Sequence, residues 1–243
     1  SPLSQNIRIV ESGISLALRP KYGISKILFG CCLAINKPEL IEDRILVSLL
    51  AGGSPVLLAI LFGITYESLT GQPVTTATGE NIAYGLASLF VLSGVYALLS
   101  SQERQVVFRF KRPNQTELTW TLVSFPLAVV AFLGAEAVMS AAGFNLGGYE
   151  YRLSDPSTVG AVVFGAVLIA PFAEEVLFRG FILGSLLGRG FSPVVAGGVS
   201  ILAFGLLHVA LLGIAGVVTM MAWSVFPTIL RLRFNNLTGA WLF

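Results

Sequence analysis

The chain has 243 residues, of which 55% are hydrophobic and 12% charged, with a formal net charge of +2. A soluble domain carries about a quarter charged residues, so this chain lacks the polar side chains to cover a water-facing surface, and lipid is the solvent that suits it. So small a net charge, without basic runs interleaved with aromatics, excludes a nucleic-acid binder.

Residues 1–44 read as a cytoplasmic or interfacial segment. The stretch Ile7–Leu18 is mixed, and Ile24–Ile35 is apolar but too short to span, so together they suit an amphipathic entry lying on the membrane surface. Cys31 and Cys32 are adjacent and poorly placed to bridge each other; they read as reduced thiols, with acylation the alternative. The chain opens on Ser-Pro without Met, which reads as a tag remnant or processed end, and no signal-peptide pattern precedes the first span. A spanning helix needs about 20 mostly apolar residues. In chain order the candidates are Ile45–Tyr66, Asn81–Leu99, Leu118–Phe144, Val159–Leu187, Pro193–Leu212 and Ile214–Leu230. Leu237 to Phe243 looks like the opening turns of one more helix. The expected fold is an all-α integral membrane protein, a polytopic bundle of about six or seven transmembrane helices. It divides into residues 1–44, the first three spans over 45–157, and a core over 158–243.

The basic residues alternate with the loops. Arg8, Arg19, Lys21, Lys26, Lys37 and Arg44 precede the first span, Arg104, Arg109, Lys111 and Arg112 follow the second, Arg189 follows the fourth, and Arg231 and Arg233 follow the sixth. The intervening loops hold almost none: Glu67 to Glu80 has no Lys or Arg, Asn145 to Pro156 only Arg152, and Gly213 to Gly216 is uncharged. By the positive-inside rule the N-terminus lies in the cytoplasm, and the expected location is a prokaryotic plasma membrane.

Charged groups near mid-membrane cost at least ~2.5–3.5 kcal/mol each, so they are candidate functional residues. The fourth span holds Glu174, Glu175 and Arg179 within six residues. On a helix, Glu175 and Arg179 are i and i+4 and can pair, whereas Glu174 is rotated by about 100° and can face elsewhere. A carboxylate left free in a cavity can act as a general base. The plain alternative is a structural ion network locking helices together. The depth of the cluster is set by Arg179 and Arg189, which place it in the cytoplasmic half, within reach of water.

The fifth span carries the sole histidine, His208. A lone histidine on an apolar helix commonly serves as an interhelical hydrogen-bonder. Here the turn at Gly188–Ser192 is short, so the fourth and fifth spans are antiparallel neighbours. Glu174 stands about fourteen residues before that turn and His208 about sixteen after it, and at ~1.5 Å rise per residue they come out at nearly equal depth. Phe204 shares the His208 face and can order its ring, and Gly197, Gly198 and Gly205 permit close helix approach. Glu136 in the third span is a further buried acid, a weaker site candidate that either lines the same cavity or pairs with Arg152.

Glu174-Glu175-Val176-Leu177-Phe178-Arg179, ending Phe-Arg-Gly, followed on the next span by Phe204 and His208, resembles the CPBP intramembrane protease family. This group comprises CAAX prenyl endopeptidases of the Rce1 type and bacteriocin-processing enzymes, also called Abi. The resemblance covers Val159 to Phe243. It implies a membrane peptidase in which Glu174 activates water, Glu175 and Arg179 brace the motif, and His208 orients the water or stabilises the oxyanion. The implied substrate is a membrane-associated, prenylated (CaaX-type) or leader peptide. Family members are described both as metalloproteases and as metal-free glutamate proteases. One histidine and two glutamates are a thin set for catalytic zinc, which usually takes three protein ligands. A metal-free mechanism is therefore expected, the alternative being a divalent metal such as zinc on Glu174 and His208.

The family pattern also has a third motif, a second histidine followed four residues on by Asn or a similar residue, which this sequence lacks. Arg231 to Phe243 resembles the lead into that helix, and Asn235 and Asn236 come too early to stand in for it. The expectation is a truncated sequence; the alternative is a lost motif. Two other function classes stay open: a non-catalytic scaffold, chaperone or immunity protein of the same fold, and a transporter using Glu174 and His208 as a proton relay. The transporter lacks paired broken helices in two matching halves.

Overall fold

The structure, a computed structural model, describes residues 44–71, 76–148, 151 and 154–243. The expected interfacial segment, with Cys31 and Cys32, lies outside the described residues, as does Arg152. The described residues form helices and no strand: α1 (Ile45–Thr70), α2 (Ala77–Leu98), α3 (Ser101–Val107), α4 (Gln115–Ala141), α5 (Pro156–Gly188), α6 (Pro193–Leu207), α7 (Val209–Phe234) and α8 (Thr238–Trp241). Helices α1, α2, α4, α5 and α7 are long and apolar enough to cross a membrane. The chain is an all-α integral membrane protein.

Helix starts follow local chemistry. Thr76, Ser100, Asn114, Asp155 and Ser192 each accept a backbone N–H of the first turn through the side chain, and Pro156 and Pro193 occupy first-turn positions where no donor is needed. Helix α1 ends on Gly71 and α7 on Asn235, both in the left-handed region that a helix C-cap requires. Proline inside α1, α4 and α7 is tolerated as it is in other membrane helices.

Three departures from the hydropathy reading have physical causes. The loop after α2 folds into α3 because Ser100 and Glu103 form a reciprocal capping box, and Arg44 holds the Glu103 carboxylate at 3.0 Å. The fifth expected span is α6, only 15 residues; at ~1.5 Å per residue it is too short for a ~30 Å hydrocarbon core. It stops at Leu207, so His208 sits at the break between α6 and α7 and not within a continuous helix. The expected break at Gly213 is present as a non-helical kink, φ 69 and ψ −165, inside α7.

Helix α7 packs against α4 and α6, and α2 packs against α1 and α5. A buried cluster of Val176, Leu177, Phe178, Phe181, Ile182 and Leu183 on α5 is covered by Val91, Leu92 and Val95 of α2, Val106 and Val107 of α3 and Ala196 and Phe204 of α6. The outward faces are apolar, with Leu122 75% exposed, as expected for surfaces that lipid covers. Of the three glycines expected to allow close approach, Gly205 does so. A Cβ there would lie 2.7 Å from the Val217 carbonyl oxygen and 2.5 Å from Met221 Cγ, whereas Gly198 has open space and Gly197 only ordinary contacts. Because the Val217 oxygen is backbone, Gly205→Ala is expected to lower stability by about 1–3 kcal/mol, the usual result of overpacking. Unfolding in mixed micelles measures this, and an unchanged midpoint would contradict the described α6–α7 crossing.

Candidate active site

The site is built around an irregular stretch of α5. Residues Val163–Ile169 and Glu175–Ile182 wind as π-helix, separated by the α-helical turn Ala170–Glu174. Pro171 has no N–H to give the ladder between them, and such wide turns recur at functional sites. The change of winding falls between Glu174 and Glu175.

Glu175 is buried and pairs with Arg179, Oε1 to Nη1 at 2.9 Å. Arg179 is wholly buried and held from several sides. Its Nη2 donates to the Ser224 hydroxyl at 2.6 Å, its Nε donates to the Thr228 hydroxyl at 3.4 Å, and its guanidinium lies 4.4 Å from the centre of the Phe204 ring. Arg231 in turn donates through Nε to the Arg179 carbonyl at 3.2 Å. Arg231, counted among the loop charges in the sequence, is therefore buried within α7.

Glu174 has a different partner. It is half-buried, lines a cavity of about 810 Å³, and accepts the Tyr84 hydroxyl at 3.0 Å. His208 lines the same cavity, so the two sequence candidates from α5 and the α6–α7 break share it. Phe204 connects His208 to the arginine: its ring, under the Arg179 guanidinium, packs 4.8 Å from the His208 ring, centre to centre, and 5.3 Å from Phe178. His208 Nδ1 stands 2.8 Å from the Phe204 carbonyl oxygen. A carbonyl can only accept, so Nδ1 carries a proton, and in the tautomer protonated there alone Nε2 is a lone-pair acceptor.

Glu67, Glu80, Glu175 and Arg179 also line the cavity, which is otherwise largely apolar, walled by Ile60, Ile64, Leu211, Trp223, Trp241 and Phe243 among others. Glu136 is half-buried on α4 and is not among the cavity-lining residues. Its suggested partner Arg152 lies outside the described residues. Among the described residues no three His, Cys, Asp or Glu side chains converge as a metal site requires.

Two groups of site residues are missing from the sequence reading. Ser224, Thr228 and Arg231 stand at i, i+4 and i+7 on α7, a polar stripe on an apolar helix that could have marked the face turned to α5. The second group anchors α8. The Asn236 side-chain amide donates to Glu117 at 2.9 and 3.1 Å, and Glu117 Oε1 also accepts the Gly239 N–H at 3.0 Å. The Asn236 carbonyl oxygen accepts the Lys111 N–H at 2.9 Å. This buried clamp fixes the start of the helix that brings Ala240 and Trp241 to the cavity wall.

Comparison with known families bears on the same stretch. Residues 156–243 match the family model described as type II CAAX prenyl endopeptidase Rce1-like. The similarity lies in this segment of the chain. The match is consistent with the CPBP resemblance, and the Rce1-like segment contains Glu174, Glu175, Arg179, Phe204 and His208. It also contains Ser224, Thr228, Arg231 and Asn236, whereas Tyr84 and Glu117 belong to helices outside the matched segment. No curated protein and no solved structure matches the chain.

Proposed function

We propose that the protein is an intramembrane endopeptidase that hydrolyses a peptide bond in a membrane-associated substrate, a prenylated CaaX-type C-terminus or a leader peptide, with Glu174 as general base. One observation carries this reading: Glu174 and His208 line a single largely apolar cavity, and of the two adjacent acids on its wall Glu175 is held in an ion pair with Arg179. The division leaves one carboxylate for proton transfer and uses the other to fix the helix.

In this mechanism Glu174 takes a proton from a water molecule as the water oxygen bonds to the substrate carbonyl carbon. His208 Nε2 accepts a hydrogen bond from the same water and aims it. The carbonyl electrons pass to oxygen, then return as the C–N bond breaks. The proton held by Glu174 goes to the leaving nitrogen, giving an amine and a carboxylic acid and restoring the free base. No step passes through a metal, since the described donors do not assemble a zinc set. The apolar walls suit a substrate delivered from the bilayer. The alternation of basic loops supports a cytoplasmic N-terminus.

The test uses full-length protein in lipid nanodiscs with two fluorogenic probes, a farnesylated CaaX peptide and an apolar leader peptide. Cleavage of at least one probe is expected, at a rate that a divalent-metal chelator leaves unchanged. Cleavage of neither overturns the endopeptidase assignment, and loss of cleavage with chelator, restored by zinc, overturns the metal-free mechanism.

A further inference from the structure

The acid proposed as general base has a partner that does not come from the Rce1-like segment. Tyr84 on α2 donates its hydroxyl to Glu174 Oε1 at 3.0 Å, and both residues line the cavity. We propose that Tyr84 is the positioning residue for Glu174, an inference that rests on the general-base reading above.

The local packing explains how α2 can reach so accurately. On one side of Tyr84, the Thr78 hydroxyl meets the Thr158 hydroxyl of α5 at 2.9 Å. On the other side, Gly85 brings the α2 backbone against α5, where a Cβ would lie 2.7 Å from Phe164 Cε1 and 3.3 Å from Gly165 Cα. Tyr84 is thus carried on a rigid contact between α2 and α5, as accurate placement of a reactive group demands.

The chemistry is specific to the hydroxyl. Among the described residues the guanidinium beside Glu174 on α5, Arg179, is engaged by Glu175, Ser224 and Thr228. Without a donor the Glu174 carboxylate would be free to rotate about its terminal bond, whose preferences are broad. A phenol on Oε1 stops that rotation and leaves Oε2 as the oxygen that receives the proton from water. His208 cannot supply this bond from Nε2 in its neutral form, because that nitrogen accepts. Holding the acid at the reactive angle raises the rate of the chemical step and leaves ground-state binding of substrate little changed.

The experiment has a kinetic and a spectroscopic arm. Tyr84→Phe keeps the ring and removes only the hydroxyl. In the nanodisc assay with the farnesylated CaaX peptide it is expected to lower kcat about tenfold or more, the worth of one hydrogen bond to a charged group, with KM unchanged within about twofold. In a Glu174→Gln background the same change is expected to have no further effect, as for residues acting through one another. An unchanged kcat, or an equal loss in both backgrounds, overturns the proposal. The infrared arm does not need activity. The Tyr84 C–O stretch, defined by the difference between wild type and Tyr84→Phe in tyrosine-labelled protein, is expected to shift on Glu174→Ala, and a band that does not move overturns the proposal. If Glu174→Gln instead cleaves at the wild-type rate, the general-base reading has failed and Tyr84 positions no base.

Discussion

Glu174→Gln lowers kcat by about 10²–10⁴-fold, the range that a positioned general base contributes, while the protein stays folded. The substitution keeps size and can keep the Tyr84 hydrogen bond, since the amide oxygen accepts as the carboxylate did. It removes only the ability to take a proton. The effect is therefore expected in kcat with little change in KM, the pattern of an interaction made in the transition state. Glu175→Gln is the informative contrast. Glu175 faces a buried arginine, so its replacement perturbs stability first and activity second. Equal kinetic losses in both variants, or unaltered cleavage by Glu174→Gln, would contradict the division of labour between the adjacent acids. The measurement is initial-rate kinetics of each variant beside its unfolding midpoint.

The pairing of Glu175 with Arg179 was readable in the sequence because it follows from helix geometry. Two adjacent acids cannot share a face, and the one four residues before an arginine is the one that pairs. Five of the six expected spans were readable too, since a helix that crosses lipid must be long and apolar and its length can be counted. What the sequence hid is of another kind. Helix α3 was marked by Ser100 and Glu103, a capping box easily lost among the basic residues used to orient the chain. Tyr84 carries no local signal, because an isolated tyrosine on an apolar helix looks like any interfacial aromatic, and its meaning arises only when α2 is laid beside α5. Glu117 reads as an ordinary first-turn acid after the N-cap Asn114, yet its carboxylate reaches 119 residues along the chain to Asn236. Arg231 was counted as a loop charge because hydropathy windows end at arginine, whereas here the helix runs on to Phe234 and the guanidinium turns inward. Local chemistry is legible from sequence to the extent that its partner is local.

Arg179→Met is expected to cost about 3–5 kcal/mol of stability, more than any other substitution considered, because it leaves the Glu175 carboxylate buried without its countercharge. The arginine also ties α5 to α7 through Ser224 and Thr228 and stacks on Phe204 of α6, so its loss loosens the helices that bear Glu174 and His208. Arg179→Lys should recover only part of the loss. An ammonium can meet one partner as a point charge, whereas the planar fork reaches Glu175 and Ser224 with separate nitrogens and Thr228 with a third. The decisive comparison is the double variant Glu175→Leu with Arg179→Met. If the pair stabilises chiefly by compensating its own burial, removing both partners returns much of the stability lost on removing one. If the arginine's bonds to α7 dominate, the double variant stays as weak as Arg179→Met. Unfolding midpoints of the three variants in mixed micelles decide between these, and a wild-type midpoint for Arg179→Met would contradict the described pairing. In either case the double variant keeps Glu174, Tyr84 and His208, so any loss of cleavage beyond the loss of fold measures how far the braced pair aligns the free acid.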